Sequence, residues 1–179
     1  MALHSARMAG IEVEESVFEN ARLWFDRAAG GKHGGLYGYT GPQSNNQAMT
    51  ATGMFCRQLD LVPPSDPRMP EGAQALKMRP MSVNNPAYYY VYYGTLALYQ
   101  HQGPVWADWN DRLKETLPRL QNKNGSDAGS WDKGAGHAAT GGRVISTALA
   151  TLSLEVYYRL LPMYGFRNKE AAPPPKQKL

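Results

Sequence analysis

Cysteine is nearly absent from the sequence, with Cys56 standing alone. A single thiol excludes an intrachain disulfide and any metal site built from several cysteines, and it leaves the compartment open. Long apolar runs are missing too. No stretch approaches the roughly 18 residues that a membrane span requires, and the chain opens without the apolar segment of a secretory signal. Charge of one sign is scarce: the formal net charge is only +4. The Lys and Arg residues are scattered rather than gathered into a basic stripe beside stacking aromatics, which argues against nucleic-acid binding. Where positive charge does collect, Lys169, Lys176 and Lys178 flank Pro173-Pro174-Pro175. That pattern reads as a solvated, disordered tail over residues 167–179.

What is present points to a folded helical domain. Hydrophobic residues make up 42% and charged residues 19% of 179, enough for one core and one domain, placed at residues 1–166. Glycine, proline and tyrosine are abundant, which suggests helices joined by structured, turn-rich loops. Residues 1–9 read as the end of a helix, stopped by Gly10. Val13, Val17, Ala21, Trp24 and Ala28 then recur at helical spacing, and Gly30-Gly31 ends that amphipathic helix. After a glycine-dense loop over residues 30–41, residues 47–61 form a helix with little charged face, which is the mark of a buried one. Pro63-Pro64 closes it, and a shorter helix follows over residues 71–78.

Residues 87–100 hold the densest aromatic run, including Tyr88, Tyr89, Tyr90, Tyr92 and Tyr93. Tyrosine and valine favour strands, but period-two alternation is absent and the run exceeds an average strand, so a helix is predicted. Pro104 opens an amphipathic helix through Trp106, Trp109, Leu113, Leu117 and Leu120. A second glycine-rich loop over residues 124–142 precedes a mostly apolar helix over residues 144–160. The order is amphipathic helix, loop, buried helix, three times over. The small-residue cores around Thr50-Ala51-Thr52-Gly53, Gly94-Thr95-Leu96-Ala97 and Thr147-Ala148-Leu149-Ala150 recur at roughly 45 to 50 residues, a solenoid-like period. Such an array buries its faces by stacking and needs closure at both ends. No polar capping repeat is seen at either end, so the sequence reads as part of a larger ring or as a chain that self-associates through exposed apolar flanks.

The segment Gln121-Asn122-Lys123-Asn124-Gly125-Ser126-Asp127-Ala128-Gly129-Ser130-Trp131, followed by a buried helix, resembles the Gln…Gly-x-Trp repeat of the prenyltransferase and squalene-oxidase repeat family. Gly34-Gly35-Leu36-Tyr37-Gly38 occupies the matching place in the first repeat, with Tyr37 instead of Trp. The resemblance implies an all-α fold, an α/α toroid fragment of about three helical hairpins like the terpenoid cyclases and protein prenyltransferases, spanning residues 1–166. It makes Gln121, Gly129 and Trp131 structural repeat residues. The family's aspartate-rich acid motif and its Asp, Cys and His zinc ligands have no counterparts here, so fold membership implies no particular reaction.

The candidate ligand-binding residues are Tyr89, Tyr90, Tyr92 and Tyr93, whose aromatic faces suit a cavity wall, and His33, His137 and Asp127, which sit in the two glycine-rich loops and would flank a polar site together with Asp132. Competing structural roles are plain: tyrosines pack at half-wet surfaces, loop aspartates bond their own backbone or cap helices, and a lone Cys on a buried helix is ordinarily a small core residue. No metal spacing and no cofactor motif are found. The function expected is a non-catalytic binding or structural repeat module of a larger protein, taking an apolar ligand or a protein partner. The alternative is an isoprenoid-handling enzyme whose acidic motif lies outside this chain.

Overall fold

A computed structural model describes residues 1–42, 46–160 and Met163, apart from the side chain of His137. The Pro- and Lys-rich segment 167–179 lies outside the described residues. The elements run α1 (Ala2–Met8), α2 (Glu15–Ala28), β1 (Ala29–Gly30), β2 (Leu36–Tyr37), α3 (Gln47–Leu59), α4 (Arg68–Lys77), α5 (Tyr88–His101), α6 (Gly103–Leu120), α7 (His137–Leu154) and α8 (Val156–Arg159). Among the described residues the chain is all-α apart from two two-residue strands, which pair antiparallel with Ala29 opposite Tyr37.

Local chemistry sets the boundaries. The Asn46 side chain accepts the Met49 amide at 3.1 Å and so starts α3. Pro104 stands in the first turn of α6, where its missing N–H costs nothing. Two departures from the sequence reading have clear causes. Helix α7 begins at His137, seven residues before the predicted start, and tolerates Gly141-Gly142 by kinking at Gly142 (φ 66°, ψ −160°), a backbone state that strongly favours glycine. The helix predicted to run on to residue 160 breaks at Glu155, so that Val156 turns into the core as the start of α8.

Helices α3, α5 and α7 lie side by side, with α5 between the other two, while α4 and α6 pack on them from outside. The Gln58 amide donates to the Ala97 carbonyl at 2.9 Å. Both residues are late in their helices, so α3 and α5 run in the same direction. Glycines let aromatic rings from the outer elements press onto the inner helices: a β-carbon at Gly94 of α5 would lie 2.8 Å from the Trp109 ring of α6, and one at Gly53 of α3 would lie 2.4 Å from the Tyr37 ring. Two core clusters result. One joins α3, α4, α5 and α6 around Met54, Met69, Leu98 and Trp106. The other joins α5, α6 and α7 around Val91, Leu117, Trp131 and Ala150. Helix α5 feeds both, which is why its aromatic run needs no polar face.

Helix α2 is held to α3 by charge and by rings. Arg22 forks onto Asp60 at 2.7 and 2.8 Å, buried Arg57 pairs with Asp26, and Phe25 meets Tyr37 edge-on at 6.1 Å. The short α1, where the sequence predicts the end of a helix, has no buried residue. It lies against α2, with His4 edge-on to Phe18 at 5.1 Å and the Arg7 guanidinium 3.9 Å over the same ring.

Candidate functional site

The two glycine-rich loops are built alike. In each, the aromatic residue that ends the loop gives its backbone N–H to a threonine hydroxyl of the following inner helix: Tyr37 to Thr50 and Trp131 to Thr147, both at 3.1 Å. In each, that aromatic residue also pairs antiparallel with the end of the preceding outer helix, Tyr37 with Ala29 and Trp131 with Gln121. The Trp131 indole is 3% exposed and donates to the Leu117 carbonyl at 2.7 Å. The Gln121 amide closes its loop on the Gly129 carbonyl at 2.9 Å. Gln121, Gly129 and Trp131 thus form one connected unit.

The loops differ in what holds their tips. The first is wrapped on Glu71 of α4, whose carboxylate accepts the amides of Lys32 (2.6 Å), His33 (2.9 Å) and Gly35 (2.8 Å). Burial pushes the Glu71 pKa up, but these three amides together with the nearby His33 outweigh it and hold the group below its ordinary value. A β-carbon at Gly35 would sit 2.3 Å from the Arg68 carbonyl, so only glycine lets the loop come this near. The second loop is drawn onto α7 by Arg143, which reaches Asp127 at 2.7 Å and Asp132 at 2.9 Å. The Arg143 guanidinium, with help from the Asn122 amide, lowers the Asp132 pKa.

These anchors decide what the loop candidates do. His33 lends its backbone to Glu71, while its ring is exposed. Asp127 is engaged by Arg143, and the side chain of His137 lies outside the described residues. The loops are thus tied to different helices, α4 and α7. Among the described residues, no group of three or more His, Cys, Asp or Glu side chains lies close enough to hold a metal ion. No helix among them is long and apolar enough to cross a membrane.

The tyrosines divide by their position around α5. Tyr90 turns to the outer layer, its ring edge-on to Trp109 at 5.7 Å and its hydroxyl donating to the Arg79 carbonyl at 2.6 Å. Tyr89 and Tyr93, one turn apart, meet at a tilt of 48° with ring centroids 4.8 Å apart, and Tyr92 meets Tyr93 edge-on at 5.1 Å. Tyr92 is buried, whereas Tyr89 and Tyr93 are half-buried. Burial, and the Tyr89 hydroxyl beside it, raise the Tyr93 pKa far above the ordinary phenol value. It is a neutral phenol at physiological pH, fit to offer a ring face and a hydroxyl but not to act as a base.

One cavity escaped the sequence reading. A cleft of about 200 Å³ lies between α1, α2 and α3, lined by Leu3, His4, Phe18, Phe25, Cys56 and Leu59 among others. The Cys56 thiol is pushed up by burial, the opposite of an activated nucleophile. The His4 imidazole is lowered, by burial first and then by the positive N-terminus. The cleft exists because α1 docks on α2, and no sequence periodicity records that docking. No family model, curated protein or solved structure matches the chain.

Proposed function

We propose that this chain is a non-catalytic binding or structural repeat module, with Tyr89 and Tyr93 as the contact surface for an apolar ligand or the apolar part of a protein partner. The observation that carries the reading is the division of labour just described. Asp127, Asp132 and Glu71 are committed to fixing loops, whereas the Tyr89–Tyr93 ring pair stays partly open beside the core. Amphipathic rings of this kind serve contact at half-wet surfaces. The family resemblance belongs to the same proposal: the repeated bond from loop aromatic to helix threonine, at Tyr37 and at Trp131, supports an α/α toroid fragment. The alternative, an isoprenoid-handling enzyme whose acidic motif lies outside this chain, would use the same tyrosines as cavity wall; within the chain Asp127, Asp132 and Glu71 are engaged by Arg143 and by backbone amides and supply no free acid to it.

The test is a titration of the folded chain with a long-chain isoprenoid alcohol, monitored by isothermal titration calorimetry. A saturable change is expected, weakened about tenfold or more in the Tyr89→Ala, Tyr93→Ala double variant. A folded sample that shows no saturable change, or a variant that binds as well as the parent, refutes the tyrosine surface.

A further inference from the structure

The cleft between α1, α2 and α3 has carbon walls and no spare charge. Leu3, Phe18, Ala21, Phe25 and Leu59 supply its apolar lining. The charged side chains that border it are already matched: Arg22 forks onto Asp60 and also reaches Glu15 at 2.9 Å, and Arg57 pairs with Asp26. His4, whose pKa burial lowers, adds no charge at neutral pH. An ionic ligand would bring a charge with no counterpart into an apolar site, which is costly.

One polar group is left over. Arg57 lines the cleft and is only 4% exposed. Its Nε donates to the Tyr37 hydroxyl at 3.2 Å and its Nη2 to Asp26, but its Nη1 has no hydrogen-bond partner among the described residues. In a side chain this buried, an unmet N–H calls for an acceptor. Size narrows the choice further. An engineered apolar cavity of about 150 Å³ holds one benzene molecule, so a cleft of about 200 Å³ suits a body of roughly eight to ten non-hydrogen atoms.

We propose that this cleft binds a small neutral amphiphile, an aromatic or short-chain alcohol whose apolar body lies between Phe18, Phe25 and Leu59 and whose oxygen accepts from Arg57 Nη1. The volume is too small for a helix of a partner protein, the walls select carbon, the matched charges disfavour an ion, and the leftover N–H selects one acceptor. Entry is past α1. That helix has no buried residue and rests on α2 through the Phe18 ring and the half-exposed Arg7–Glu15 pair. A segment with so few buried contacts opens at low cost. The site shares no residue with the Tyr89–Tyr93 pair and does not rest on that reading.

The probe is 4-ethylphenol, titrated to about 5 mM into the nitrogen-15-labelled full chain and followed by amide chemical shifts. Saturable movement of the His4, Phe18 and Cys56 amides is expected, with a dissociation constant at or below about 1 mM. Ethylbenzene, which keeps the body and lacks the oxygen, should bind at least about tenfold more weakly because it leaves Arg57 Nη1 unmet. The 4-ethylbenzoate anion should lose at least about tenfold as well. Leu3→Trp fills the cleft from the outermost helix and should abolish the shifts with far-UV circular dichroism unchanged; Ala21→Phe fills it from α2 if the first variant fails to fold. The Tyr89→Ala, Tyr93→Ala double variant should bind 4-ethylphenol like the parent. The proposal is overturned by an absence of saturable shifts, by ethylbenzene or 4-ethylbenzoate binding as tightly as the phenol, or by a folded cleft-filling variant that binds unchanged. Loss of binding in the tyrosine double variant overturns it too, by moving the phenol to the tyrosine surface.

Discussion

At the scale of single residues, the aromatic side chains that end the two loops act as bolts between layers. Trp131 fills space among Leu113, Leu117 and Ala150 and also satisfies the Leu117 carbonyl. Removing the ring leaves both a cavity and an orphaned acceptor. Trp131→Ala should therefore cost about 3 kcal/mol or more in urea unfolding, and a change near zero would mean that the indole is not buried between the helices. The sequence singled this residue out only through the resemblance of Gln121, Gly129 and Trp131 to a Gln…Gly-x-Trp repeat. Its partners were less legible. Thr147 looked like one small residue in an apolar helix, and nothing in the order of residues said that its hydroxyl would receive the Trp131 amide. Tyr90 shows the same limit. Five neighbouring tyrosines looked interchangeable, and only the position around α5 sends Tyr90 to the Arg79 carbonyl while Tyr89 and Tyr93 remain half-buried.

At the scale of elements, the first loop depends on a carboxylate from a different helix. Glu71 has a folded pKa below its ordinary 4.5. A lowered carboxylate contributes stability that is fully present above the unfolded value and is lost as pH falls through the folded one. Below about pH 4.5 the wild-type chain should lose stability more steeply than the Glu71→Gln variant, which at neutral pH should be weaker by about 1–3 kcal/mol. Parallel stability curves against pH would show that the carboxylate does not hold the loop. This anchor could not be read in advance: Glu71 is an ordinary first-turn acid by sequence, and its three amide donors lie far away along the chain. The helices themselves were readable, α5 because alternation was missing and α6 from its three-to-four spacing. Their ends were less so, since Gly141-Gly142 looks like a stop and is a kink, while Glu155 looks like mid-helix and is a break.

At the scale of the whole molecule, α5 sits in both core clusters, so neither half has a core without it. Urea unfolding should accordingly be one transition, with tryptophan fluorescence and far-UV circular dichroism coinciding. Two separated transitions would show that the halves around α3 and α7 are independent. The placing of α3 and α5 behind amphipathic helices was legible because a helix with little charged face is ordinarily a buried one, whereas α7, expected to be buried too, leaves Val144 and Ile145 exposed. The open flank of α7 was legible only as composition, because telling a covered apolar helix from an uncovered one requires knowing its neighbours.

The dependence of the first loop on Glu71 also fixes an order of events at the ribosome. The glycines around His33 leave the exit tunnel well before the acid that gives them their shape, and until that acid follows they have no template to close upon. The hairpin of α2 and α3 must therefore wait, unfinished, for α4 to be synthesised, so that any pause in translation between them holds the nascent chain with this connector still unformed.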